Sequence, residues 1–64
     1  MKKKEIKNIA EKIAKQELII RDSENEKEKT TAKREIEKLS KCVNKIEDMI
    51  LIDELVIEIL QKKS

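Results

Sequence analysis

Two pairs of adjacent carboxylates are the residues of this chain best suited to acid–base chemistry: Glu47 with Asp48, and Asp53 with Glu54. Such pairs act as general acid and base when a cleft holds them together away from water. Neighbouring residues do not face each other on a helix, so we expect these carboxylates to lie on solvated faces. Asp53 differs because it falls in an otherwise apolar row, where it either fixes the register of helix pairing or contacts a ligand or partner.

A single thiol is the next candidate. Cys42 adjoins an apolar row, where a thiol usually behaves as a small hydrophobe. One cysteine without any histidine cannot form a structural zinc site or an intrachain disulfide, so we predict no metal site. Gly-rich phosphate loops and nucleophile elbows are absent, and we therefore predict no cofactor and no enzymatic activity.

The start of the chain is basic, with lysines at Lys2, Lys3, Lys4 and Lys7. A basic amphipathic helix can bind phosphate groups or an anionic membrane. Glu5 and Glu11 dilute this charge, and the chain has no aromatic residue to stack on bases or anchor in lipid. A solvated face is therefore the favoured interpretation, and binding of nucleic acid or membrane through these lysines is the alternative.

The composition is that of a long helix or coiled coil. The chain has no Gly, no Pro and no aromatic residue, and 47% of its residues are charged. No segment is long and apolar enough to cross a bilayer, and the Lys-rich start lacks the apolar run of a signal peptide. We therefore expect a cytoplasmic protein with a reduced Cys42.

An apolar row with the four-and-three spacing of a heptad seam runs from Ala32 to Leu60. A seam of this kind must be covered by another helix, so we predict that it forms an oligomer interface. The predicted interface residues are Ile36, Leu39, Val43, Ile46, Ile50, Asp53, Ile57 and Leu60.

A second apolar row accompanies the seam in the last third of the chain. A helix with apolar residues on two sides is buried on two sides. We therefore predict a partner-binding surface formed by Leu51, Ile52, Leu55 and Ile59.

The periodicity predicts an all-α fold, a helical hairpin in one domain spanning residues 1–64. We expect a first helix at about 3–21, a turn at about 22–25, and a long second helix at about 26–62. Ser23 is the predicted N-cap of the second helix, with Glu26 completing a capping box. As an alternative, Asn44 and Glu47 cap a third helix, which breaks the second helix near Asn44 and gives a three-helix bundle. The seam stays in phase across this point, which favours the continuous helix.

A chain of 64 residues is marginal as an isolated fold, and neither a disulfide nor a metal supports this one. We therefore predict a homo-oligomer, with a dimer favoured. The first helix is too short to cover the second, whose far half would project to meet another copy. Because residues 1–8 are basic and residues 45–60 acidic, we expect the copies to assemble as an antiparallel bundle.

The chain resembles two groups of small helical proteins. Asp53 and Leu55 resemble the Ser-x-x-x-Asp-x-Leu motif of small two-helix sporulation aspartyl-phosphate phosphatases, but Met49 stands where that family has serine, so its activity is not carried over. In length, in Lys/Ile/Glu bias and over residues 46–55, the chain is similar to small helical phage and prophage proteins of low-GC Gram-positive bacteria. That resemblance implies an accessory protein, with inhibition of a host enzyme or defence system as a candidate role.

The sequence as a whole predicts a homo-oligomeric protein-interaction or regulatory module. We expect it to bind an unidentified protein through residues 45–60, which combine acidic and apolar side chains.

Overall fold

The computed structural model describes residues 2–63. Within that range it contains three α-helices and no strand: α1 at Lys3–Asp22, α2 at Glu26–Lys41 and α3 at Ile46–Lys63. The predicted span of 1–64 includes Met1 and Ser64, which lie outside the described residues. The all-α class is confirmed, and α1 and the following turn lie within a residue of their predicted bounds.

The turn between α1 and α2 is held by two short polar side chains. The Asn25 side chain caps α2, because its Oδ1 accepts a hydrogen bond from the Lys27 N–H at 2.9 Å. Ser23 instead closes α1, where its N–H donates to the Ile19 carbonyl at 2.8 Å. Its hydroxyl accepts from the Asn25 N–H and donates to the Glu28 carboxylate. The predicted capping box of Ser23 with Glu26 is therefore wrong. Asn25 rather than Ser23 caps α2, and the Ser23 N–H bonds the Ile19 carbonyl rather than the Glu26 side chain.

The prediction of one continuous helix over residues 26–62 is wrong. The last turn of α2 tightens, since the Cys42 N–H bonds the Leu39 carbonyl and the Val43 N–H bonds the Ser40 carbonyl, each three residues back. The backbone leaves the helix over residues 42–45, and α3 then begins. The break lies near Asn44, as in the alternative prediction.

The residue that starts α3 is not Asn44. The Met49 N–H donates to the Lys45 carbonyl at 3.1 Å, so Lys45 supplies the first acceptor of the new helix. Glu47 and Asp48 follow in the first turn of α3, where negative charge suits the positive end of the helix dipole.

The first helix lies at the centre of the molecule. It packs extensively against both α2 and α3, whereas α2 and α3 make few contacts with each other. The main core cluster consists of α1 side chains packed on α3, and its buried members are Ile6, Ala10, Ile13, Ala14, Ile52 and Val56. Ala32 of α2 is buried as well. Ala10 and Ala14 are almost completely buried, and their small side chains allow neighbouring helices to approach α1 closely.

This arrangement corrects the predicted projecting half. The break allows α3 to fold back on α1, so residues 46–63 do not extend beyond a hairpin. The described chain is therefore a flat molecule that is less compact than most chains of its length. Its extents are 34 × 25 × 16 Å and its radius of gyration is 11.7 Å, against about 10.7 Å for a compact chain of this length.

Candidate functional site

The predicted seam lies partly in the core. In α2 and the following loop it faces α1, and Ile36, Leu39 and Val43 are half-buried against the core. At the end of α3, Leu60 is also half-buried. It lines a groove with Ile36 and the α1 residue Ile20. These four predicted interface residues therefore pack largely within their own chain.

The middle of the seam lies on the outside of the molecule. Ile46 is 80% exposed, Ile50 52% and Ile57 56%. A helix turns by about 100° per residue, so these three side chains lie within about 40° of one another on α3. We call Ile46, Ile50 and Ile57 the outer stripe. Asp53 interrupts it and is exposed as well.

The loop over residues 42–45 is the reason that the seam changes sides. A helix keeps its phase only while its hydrogen bonding is continuous, and the break resets the rotation of α3 relative to α2. The second apolar row then faces α1, with Ile52 completely buried and Val56 nearly so. Around them Met49, Leu55, Ile59 and Leu60 are half-buried.

This inward rotation changes the predicted partner-binding set. Ile52 has no exposed surface, which removes it from any contact with another molecule. Leu55 and Ile59 are half-buried against the core. Of the four residues only Leu51 is well exposed, at 47%.

Leu51 borders a groove of about 360 Å³ between the start of α1 and the middle of α3. The apolar part of this groove is formed by Ile6, Leu51 and Leu55. Its charged lining comes from both helices, with Lys3 and Lys7 from α1 and Glu54 and Glu58 from α3. These carboxylates offset the positive potential of the basic start, which weighs against a phosphate-binding role for these lysines.

The carboxylate pairs are on the surface. Glu47, Asp53 and Glu54 are exposed and Asp48 is half-buried. Acid–base chemistry would need a carboxyl group in a water-excluding environment, and three of these four groups face solvent. In the described part of the chain, no cluster of three or more His, Cys, Asp or Glu residues is arranged to hold a metal ion.

Cys42 is exposed at the end of α2 and is not part of the core. Its neighbour in the seam, Val43, is half-buried. The expectation that Cys42 serves as a small hydrophobe beside the core is therefore wrong, because its side chain is exposed where α2 ends.

Comparison with protein-family models, with curated proteins and with solved structures finds no significant match for this chain. Among residues 2–63, no helix has both the length and the apolar character required to cross a membrane. The outer stripe of α3, which the rest of the chain leaves exposed, is the candidate functional site.

Proposed function

We propose that this chain is a small helical protein-interaction module that self-associates through the outer stripe of α3. The observation that carries the proposal is the exposure of Ile46, Ile50 and Ile57 on one side of one helix. Covering such side chains is favourable by about 25 cal/mol for each Å² removed from water. Several large apolar side chains exposed on one side of one helix are more typical of a contact site than of a free surface.

The total surface of the chain supports the same proposal. The chain exposes 5226 Å², whereas a compact monomer of 7.5 kDa exposes about 4,200 Å². The excess of about 1,000 Å² is similar to the roughly 800 Å² that each partner buries in a protein–protein interface of standard size.

Self-association through α3 follows from where the apolar side chains lie. Within the described residues, four large apolar side chains are about half exposed or more, and all four belong to α3: Ile46, Ile50, Leu51 and Ile57. Two copies would therefore cover the most exposed of these side chains by placing α3 against α3. A contact between the same face of both copies is isologous and closes as a dimer.

Light scattering coupled to gel filtration, repeated over a range of protein concentrations, tests this proposal. The wild-type chain is expected to associate as concentration rises. The double variant I50E/I57E is expected to remain monomeric with unchanged helix content, because both side chains are on the surface. L51E is the control for a glutamate placed elsewhere on α3 and is compared with I50E alone, since Leu51 is similarly exposed on another side of the same helix. A wild-type monomer at every concentration, or equal loss in L51E, would contradict self-association through this face.

A further inference from the structure

The exposed border of the outer stripe is acidic. Asp53 lies within the stripe, and Glu47 and Glu54 lie beside it on the rotation of about 100° per residue. All three are exposed, and none forms an ion pair with a described lysine or arginine. Glu54 also lines the groove that contains Lys3 and Lys7, whereas Glu47 and Asp53 do not. The cations of α3, Lys62 and Lys63, lie in its last turn beyond the stripe.

A second α3 is an electrostatically poor occupant of this surface. In an antiparallel pair that sets Ile46 against Ile57 of the second copy, Ile50 faces its Asp53 and Glu47 comes beside its Glu54. In a parallel pair, the two copies of Asp53 meet directly. Both orientations bring like charges together at a contact, which lowers affinity.

A helix of opposite charge removes this conflict. Apolar residues at intervals of three and four would cover the isoleucines, and flanking lysines or arginines would face Glu47, Asp53 and Glu54. The stripe spans about 17 Å from Ile46 to Ile57, so three turns of such a helix are sufficient. Among residues 2–63, no helix offers this combination on an open face, because the large exposed apolar residues there are all on acidic α3.

We propose that the outer stripe takes up a cationic amphipathic helix from a different protein, in preference to a second copy of α3. The proposal rests on the proposed function, in that it uses the same surface, and it names the chemistry of the partner. Self-association through the stripe is then weaker than binding of a cationic helix, because the acidic borders of the two copies repel each other.

Two synthetic 18-residue peptides test the inference. Both carry leucine at heptad seam positions; one has lysine at the flanking positions and the other has glutamate there. Fluorescence anisotropy with labelled peptides is expected to show that the lysine peptide binds the full chain at least about tenfold more tightly than the glutamate peptide. Added salt should reduce the difference in affinity between the two peptides, because it screens their charges. The lysine peptide should also dissociate the self-associated protein in light scattering.

Charge reversal provides the matched control. D53K/E54K is expected to reverse the peptide preference. E11K/E37K makes the same change in net charge at exposed sites on α1 and α2 and should leave the preference for the lysine peptide in place. Circular dichroism of each variant verifies that the helices are intact.

The two proposals fail in different ways. If the peptides bind equally, or if E11K/E37K reverses the preference as D53K/E54K does, the inference of a cationic partner is wrong. If neither peptide binds but the protein still associates through Ile50 and Ile57, that inference alone is wrong. If I50E/I57E alters neither self-association nor peptide binding, both proposals are wrong.

Discussion

Ile50 and Ile52 are separated by one residue, yet α3 places them on opposite sides: Ile52 is 0% exposed and Ile50 is 52% exposed. Two residues correspond to about 200° of helix rotation, so this pair separates the face packed on α1 from the face open to solvent. The same residue type therefore serves the core at one position and a candidate contact at the other. Stability and association can for this reason be tested independently.

Truncation at these two positions should separate the two roles. Ile52→Ala is expected to lower the free energy of unfolding by about 2–5 kcal/mol, because it leaves a cavity between α3 and α1. Ile50→Ala should change it by no more than about 0.5 kcal/mol at a protein concentration low enough to keep the chain monomeric. Urea titration followed by circular dichroism measures both.

Ile52→Val covers the case in which Ile52→Ala does not fold, and it should cost about 0.5–1.5 kcal/mol. Equal destabilisation by Ile50→Ala and Ile52→Ala would show that α3 does not pack on α1 in the observed rotation.

The cap of α2 provides a second prediction. Asn25→Ala removes the acceptor of the Lys27 N–H and should lower the free energy of unfolding by about 1 kcal/mol. Asn8→Ala is the control, because Asn8 is exposed inside α1, where alanine is the better helix former. Thermal melts of both variants supply the measurement. A larger loss in Asn8→Ala than in Asn25→Ala would contradict the assigned cap.

The charge of Asp53 should limit self-association. Asp53→Asn is expected to raise the association constant by roughly threefold at low salt, since it removes a like charge from the contact. The wild-type chain should associate more strongly as salt is raised, and the variant should respond less. Sedimentation equilibrium at two salt concentrations measures this. Glu37→Gln removes a charge from α2 and serves as the control; an equal gain there would attribute the effect to net charge alone.

Cys42 should be a freely reactive thiol. Its exposed position at the end of α2 predicts a reaction with Ellman's reagent that hardly accelerates when urea unfolds the chain. Val43→Cys in a Cys42→Ser background is the comparison, because Val43 is half-buried against the core. That thiol should react more slowly until the chain unfolds. Strong protection of Cys42 in the native chain would mean that the end of α2 is covered.

Much of the secondary structure could be predicted from particular residues. The apolar spacing of Ile6, Ala10 and Ile13 predicts α1, and the polar residues after Asp22 predict the turn. The sequence predicts the cap at Ser23 rather than Asn25, because both are good caps and only the backbone path selects one. The break after Lys41 is the less favoured alternative from the sequence, since no Gly or Pro marks it and the apolar row continues through it.

The sequence by itself determined that the chain is helical and that its last third carries two apolar rows. Helix propensity and apolar periodicity are local properties, so both can be read directly from the order of residues. Only the tertiary structure decided which apolar row became core and which stayed outside. That choice depends on the rotation of α3 about its axis, which is set by the loop over residues 42–45 and by the packing of Ile52 and Val56 against α1.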